Sequence, residues 1–282
     1  MTPPDRPFAA VAVLGLGVMG GSLARALSAL EGRQRVIAWS PKREEREAAL
    51  RAGVVDEAPS DWPDAVRDAD LVVLAAPLSA SCDLMAGVAG AAPPSATLSD
   101  VASLKAPLAR AAHAAGVAER WVGCHPMAGS EESGFGASRP DLYRGARVWT
   151  VACSEAIDRV APVHALWRSL GARPAEIDAD EHDRLMARVS HLPQLTATAL
   201  AAVLVEAGVR PEQLGPGGRD TTRLAGSSVD LWKDLLEHAS PELAKGLREL
   251  AGAADRIAGM LEEKDMEALA DMMRATRAWR QS

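Results

Sequence analysis

The stretch Val11-Ala12-Val13-Leu14-Gly15-Leu16-Gly17-Val18-Met19-Gly20-Gly21-Ser22 decides the fold class. An apolar run of strand length, Phe8 to Leu14, leads into glycines spaced Gly15-x-Gly17-x-x-Gly20, and a helical pattern follows from Ser22 to Leu30. At such a turn Gly15 allows the tight bend, Gly17 lets the backbone approach a pyrophosphate, and Gly20 lets the helix pack against the sheet. The helix N-terminus then faces the phosphates, because its unsatisfied N–H groups and its dipole favour negative charge. The spacing alone is a weak signal. Its position after a strand and at the head of a helix is the context that marks a dinucleotide turn. Val18 and Met19 fall inside the turn and join the three glycines as candidate cofactor-binding residues.

Downstream, short apolar runs alternate with helical patterns. Strands are expected at Arg35 to Trp39, Leu71 to Ala75, Thr97 to Ser99, Trp121 to Cys124, Arg147 to Ala152 and Arg173 to Ile177. Helices are expected at Arg43 to Ala52, Leu104 to Ala115 and Glu155 to Leu170. This alternation predicts an α/β fold with a Rossmann-type doubly wound parallel sheet, helices covering both faces. From Asp178 onward the strands stop. Asp178 with Glu181 resembles an N-cap and its N3 partner, opening a helix that runs to about Ala207 and kinks at Pro193. Pro241 to Glu263 is a strong helix with Leu243, Leu247, Leu250, Ala254, Ile257 and Leu261 on one face, and Asp265 to Trp279 is another. The expected division is a dinucleotide-binding domain over 8–177 and an all-helical substrate and dimerisation domain over 178–282. Helices of that length cannot bury every apolar face alone, so a homodimer through the helical domain is expected.

Composition sets outer bounds. The chain has 282 residues, 48% of them hydrophobic and 24% charged, which suits an ordinary globular protein. The net charge of −7 without basic clusters argues against nucleic acid as a ligand. Only three cysteines, Cys82, Cys124 and Cys153, are present. They rule out a disulfide scaffold or a Cys-rich zinc module, so no metal site is expected and a reducing compartment is. No apolar run approaches a membrane span, and Met1 to Arg6 lacks a basic-then-apolar signal pattern. A cytoplasmic protein is expected.

The end of the second strand bears on which nicotinamide cofactor would bind. An acidic residue about 20 residues past the glycine motif binds the ribose hydroxyls of NAD. Ser40 stands there instead, followed by Lys42 and Arg43. A small hydroxyl and two cations suit a 2′-phosphate, so NADP is favoured over NAD. The alternative reading is that Lys42 and Arg43 begin a solvated, mixed-charge helix.

Three further segments combine. Asp100-Val101-Ala102-Ser103-Leu104-Lys105 and Gly123-Cys124-His125-Pro126-Met127-Ala128-Gly129-Ser130-Glu131 each follow a strand. The third comprises Ser190-His191-Leu192-Pro193-Gln194, Gly218 to Gly226 and Asp230 to Asp234. Together, behind a Rossmann motif and in this order, they resemble the prephenate/arogenate dehydrogenase family of tyrosine biosynthesis, from Val11 to about Asp234. The resemblance implies an NAD(P)-dependent oxidoreductase that acts by oxidative decarboxylation. It also implies a catalytic base at His125, whose neutral imidazole suits proton abstraction near neutral pH. It implies a serine, Ser103, that orients the reacting hydroxyl and could also cap the following helix. It places His191 on the substrate side chain and Arg223 on a substrate carboxylate, a geometry that a guanidinium fork fits better than lysine. It places Ser130 and Glu131 in the substrate pocket, and gives Asp220 and Trp232 positioning and packing roles. The expected site draws on both domains.

The leading reading is prephenate dehydrogenase, with prephenate as the small-molecule substrate. Arogenate dehydrogenase, giving tyrosine directly, is the alternative. An inactive nicotinamide-sensing module is the alternative from another class. A hydroxyacid dehydrogenase would carry a catalytic lysine in the stretch from Asp178 to Ala207, where none occurs. The length leaves no room for a fused mutase or a C-terminal regulatory domain, so a catalytic core alone is expected.

Overall fold

The computed structural model describes residues 7–129 and 132–282. The described residues pack as two units, one comprising those up to Met186 with 226–239, the other 187–225 with 240–282. Among the described residues of the first unit, seven strands form one sheet: β1 (Ala10–Leu14), β2 (Arg35–Trp39), β3 (Leu71–Leu74), β4 (Thr97–Asp100), β5 (Trp121–Pro126), β6 (Arg147–Ala152) and β7 (Arg173–Glu176). Their order is β2-β1-β3-β4-β5-β6-β7. The chain moves outward from β1 to β2 and returns to the other side of β1 at β3, so the switch point of the sheet lies between β1 and β3.

Helices cover both faces. They are α1 (Val18–Ser28), α2 (Arg43–Arg51), α3 (Trp62–Val66), α4 (Leu78–Ala91), α5 (Ala106–Ala114), α6 (Ile157–Ser169) and α7 (Ala179–Met186). The strand period of two divides β1 between the faces. Val11 and Val13 pack with Leu23 of α1 and Val163 and Trp167 of α6. Ala12 and Leu14 pack on the other face with Val66 of α3, Met85 of α4 and Leu108 of α5. Burial on both sides explains why the strands read as continuous apolar runs.

The expected parallel pattern holds from β1 to β5 and breaks once. β6 runs antiparallel to β5, and β7 is parallel to β6. The other parallel neighbours are joined through helices that carry the chain back to the starting edge. Only a short 3-10 turn, Phe135–Ala137, lies between β5 and β6 in the described residues, so the chain re-enters from the edge it left. The helices α3 and α4 were not expected from the sequence pattern.

Asp178 caps α7 as its sequence implies: its Oδ1 accepts from the amides of Asp180 at 2.9 Å and Glu181 at 3.1 Å. The single kinked helix expected beyond it is instead α7, a π turn over Ala187–His191, and α8 (Leu192–Glu206). Pro193 has no N–H to give the Val189 carbonyl, and its ring would clash with that carbonyl in a regular helix. The π turn before it is wider than a regular helical turn and so replaces the regular i→i−4 ladder at this point.

The second unit holds α8 and α9 (Pro216–Thr222). In chain order α10 (Val229–Glu237) comes next and packs in the first unit, with Leu235 in its core. The long helices α11 (Pro241–Glu263) and α12 (Met266–Gln281) complete the second unit. Leu192 approaches α11 at Gly246, where an added Cβ would lie 3.3 Å from its side chain. Arg188 pairs with Glu249 and Glu242 of α11. Among the described residues, no helix is long and apolar enough to cross a membrane.

One polar contact sits deep in the first unit. Lys105 and Asp100 are both fully buried and paired. The Lys105 ammonium also donates to the Cys124 carbonyl at 2.7 Å, and Asp100 accepts from Ala102 N and Trp121 Nε1. Burial pushes the Asp100 carboxyl above its ordinary range, and the ammonium beside it opposes that shift. Removing one partner leaves an uncompensated buried charge, which costs about 3–5 kcal/mol. Urea unfolding of Lys105→Met should therefore show a stability loss of about that size. A loss within about 1 kcal/mol of wild type would mean that the pair contributes no more than a surface one.

Candidate active site

The glycine turn follows β1. Gly15 has φ +117°, a conformation open to glycine and strained for other residues, and a side chain there would strike the Ala75 carbonyl. A side chain at Gly20 would strike the Gly15 carbonyl, so this glycine allows α1 to sit against the strand ends. Gly17 differs. It is the N-cap of α1, and nothing lies within 4 Å of where its Cβ would be. That leaves room beside the first amides of α1, and the turn fits a pyrophosphate. The helix starts at Val18 rather than Ser22, so Val18 and Met19 belong to its first turn. Tyr143 Oη donates to the Met19 carbonyl at 2.6 Å and fixes that turn.

At the end of β2 the structure adds a residue that the sequence reading missed. Ser40 is buried, and its hydroxyl donates to Glu45 Oε2 at 2.6 Å. Lys42 Nζ lies 3.5 Å from the other oxygen of Glu45, and Arg43 Nε lies 2.6 Å from Glu47. Both cations are mostly exposed and belong to the start of a mixed-charge helix. The available signal was an acidic residue one turn into that helix.

The second cluster lies past the carboxyl ends of β4 and β5, which are parallel neighbours with Asp100 opposite Gly123. Ser103 is half-buried in the loop after β4. It does not cap α5, contrary to the capping role the sequence allowed. That helix begins at Ala106, and the amides of Lys105 and Ala106 donate to the two oxygens of Asp183 at 2.8 and 2.9 Å. His125 is buried near the end of β5. Its Nδ1 lies 2.9 Å from Nε2 of the buried His182, and the two rings meet edge-on at 76°. His182 Nδ1 in turn lies 2.7 Å from Asp183 Oδ1. Neither His182 nor Asp183 was singled out in the sequence, because they lie 57 and 58 positions from His125 in a charged helical stretch.

Burial pushes the Cys124 and Cys82 thiols up to about 11 and so disfavours their thiolate forms. Among the described residues, no group of three or more His, Cys, Asp or Glu side chains is arranged to hold a metal ion.

The glycine turn, Ser40, Ser103 and His125 all belong to the first unit. Trp232 and Asp234 also belong to it. Trp232 packs against its core, and Asp234 accepts from the Ser79 amide at 3.2 Å in the first turn of α4. His191 and Arg223 belong to the second unit. There His191 is buried at the end of the π turn, and Gln194 Nε2 donates to the Leu224 carbonyl at 2.7 Å. Arg223 is exposed where α9 gives way to a 3-10 turn, with Arg219 and Asp220 exposed on α9. Ser130 and Glu131 lie outside the described residues.

Residues 23–176 match the family model described as prephenate dehydrogenase, nucleotide-binding domain. Residues 178–275 match the one described as prephenate dehydrogenase, dimerization domain. The chain is similar to the prephenate dehydrogenase of Bacillus subtilis, with 29% identity over 92% of this chain and 72% of that one. It is similar to the cyclohexadienyl dehydrogenase of Zymomonas mobilis, with 29% identity over 84% of this chain and 83% of that one. Its structure resembles that of prephenate dehydrogenase from A. aeolicus in complex with hydroxyphenyl propionate and NAD+. The TM-score is 0.88 at 25% identity, covering 96% of this chain and 97% of that one. With both domains matched in order along one chain, and a glycine turn and strand-end histidine of the matching kind, the protein belongs to the prephenate dehydrogenase family.

Proposed function

We propose that the protein is a prephenate dehydrogenase, catalysing oxidative decarboxylation of prephenate to 4-hydroxyphenylpyruvate. The observation that carries this reading is the buried histidine His125, held at a strand end in the same unit as a turn that fits a dinucleotide. His125 accepts the proton of the C4 hydroxyl, and Ser103 orients that hydroxyl. Gly15, Gly17, Val18, Met19 and Gly20 would hold the nicotinamide cofactor, which would supply the acceptor for the C4 hydride when bound. The dienone so formed loses its ring carboxylate as CO₂, and the bonding pair restores the aromatic ring. His125 then returns the proton to the phenolate oxygen. Arg223 binds a substrate carboxylate through its planar fork of donors. His191, Ser130 and Glu131 complete the substrate contacts.

For the cofactor we propose NADP over NAD. The support is the hydroxyl of Ser40 and the two cations after it. Their ion pairs with Glu45 and Glu47 are exposed on the cationic side, and such pairs are weak enough for a phosphate to displace. One observation favours the opposite reading: the Glu45 carboxylate, in contact with Ser40, could itself receive the ribose hydroxyls.

For the assembly we propose a homodimer through α11 and α12. Leu250, Ile257 and Leu261 on α11, and Met266, Met273 and Trp279 on α12, are exposed, and apolar surface of that extent on long helices marks an interface. The three cysteines are unpaired, which suits a reducing cytoplasm.

Absorbance at 340 nm with prephenate should show turnover, and His125→Asn should lower kcat by about 10²–10⁴-fold, while Arg223→Lys raises KM. Turnover with arogenate alone would replace the proposed substrate, and none with either would revive the sensing module. In the same assay NADP should give the higher kcat/KM, and Glu45→Gln should widen its lead. A higher value with NAD that Glu45→Gln abolishes would establish the opposite preference. Sedimentation velocity should give the mass of two chains, and Leu261→Glu with Trp279→Glu should give one. A monomeric wild type would sink the dimer.

A further inference from the structure

We infer that His182 and Asp183 fix the tautomer of His125, as positioning residues for the base proposed above. The inference rests on that reading of His125 for its catalytic meaning, and on the hydrogen bonds that link Asp183, His182 and His125 for its structural content.

Asp183 sets the order of donors. Its two oxygens accept from the backbone amides of Lys105 and Ala106. This carboxyl therefore sits at the start of α5 with both oxygens facing backbone donors, and it acts there as an acceptor. An ionised carboxylate accepts and never donates. His182 Nδ1, 2.7 Å from Oδ1, must then carry a proton. A neutral imidazole has one N–H, so Nε2 of His182 is an acceptor. Nε2 lies 2.9 Å from His125 Nδ1, and the proton between them belongs to His125. His125 is thereby the Nδ1–H tautomer, with the ring lone pair on Nε2. The reverse order would aim the lone pair of His182 Nδ1 at a carboxylate oxygen, or would require a cationic His182.

The consequence is chemical. A base must present a lone pair to the proton it takes, and the histidine pair leaves His125 with that lone pair on Nε2 alone. When Nε2 takes the C4 hydroxyl proton, His125 becomes an imidazolium. Its Nδ1–H bond to His182 becomes charge-assisted, and the Asp183 carboxylate beyond stabilises the new charge. No proton travels along the chain of side chains: the Nδ1 proton of each ring stays where it is. The edge-on seat of the two rings also fixes the plane in which Nε2 points.

Long-range ¹H–¹⁵N correlation on ¹⁵N-histidine-labelled full-length protein tests this directly, with only six histidines to assign. His125→Asn and His182→Gln identify the two spin systems by loss. Wild type should show His125 and His182 each protonated at Nδ1 and not at Nε2. His125 protonated at Nε2, or His182 protonated at both nitrogens, overturns the inference. Kinetics supply a second arm. In His182→Gln the side-chain oxygen can still accept from His125 Nδ1, so kcat should stay within about 10-fold of wild type. His182→Leu removes the acceptor and should lower kcat by roughly 10²-fold or more with KM little changed, the scale set by losing a base's correct tautomer. Equal kcat in the His182→Leu variant and the wild-type enzyme, with both folded by circular dichroism, also overturns it. Absence of prephenate turnover in wild type with the expected tautomers would count against the function and not against the histidine pair. Turnover with the opposite tautomer would do the reverse.

Discussion

The carboxylate of Asp183 receives three donors, the amides of Lys105 and Ala106 and the ring of His182. A largely buried carboxylate is costly unless its oxygens are satisfied, and here all three donors come from fixed groups. Two belong to the first turn of α5, which has no side-chain cap from its own flanking residue. The third orients the ring that meets His125. Segments 77 and 78 positions apart in sequence are thus tied at one group. The start of α5, the seat of α7 and the setting of the strand-end histidine are consequences of the same interaction.

The single antiparallel step in the sheet has a related consequence. β5 pairs with its parallel neighbour β4 only as far as Gly123. It stays extended to Pro126 because β6 returns beside it, with His125 opposite Trp149 and Pro126 opposite Val148. Without that return, His125 would stand on a loop. A base held by a strand and by a buried ring is better positioned than one on a loop, since supporting packing and hydrogen bonds set how closely reacting geometry is kept. The switch point between β1 and β3 meanwhile puts the glycine turn on the same edge of the sheet, the carboxyl ends.

The parts legible in the sequence were those carried by local chemistry. Gly15 and Gly20 announce the turn because a side chain at either would strike backbone, and Gly17 because it leaves open space beside the first amides of α1. Strands β1, β2 and β3 announce themselves because burial on both faces makes them apolar runs. The direction of β6 was not legible, since it depends on which edge the chain leaves and re-enters, which no local pattern records. Helix α4 was missed because its alanines, glycines and serines give little contrast between faces. His182 and Asp183 were missed for a different reason. Within Asp180-Glu181-His182-Asp183-Arg184 they read as one more solvated charged turn, and only the fold brings them to His125. Glu45 was hidden in the same way among the charges of α2.

Sequence domains and packed units do not share a boundary. The match to the dimerization domain begins at residue 178, yet residues up to 186, and again 226–239, pack with the sheet-bearing unit. The first of these segments supplies His182 and Asp183. The second supplies Asp234, which accepts from the first turn of α4, and Leu235, which enters the core below the sheet. A chain cut after Ile177 would keep every strand and the whole glycine turn. It would leave His125 without the ring that meets its Nδ1, and the first amides of α5 without their acceptor. The strand-bearing half contains the proposed base, but the residues that hold that base in a reactive form come from the sequence of the other half.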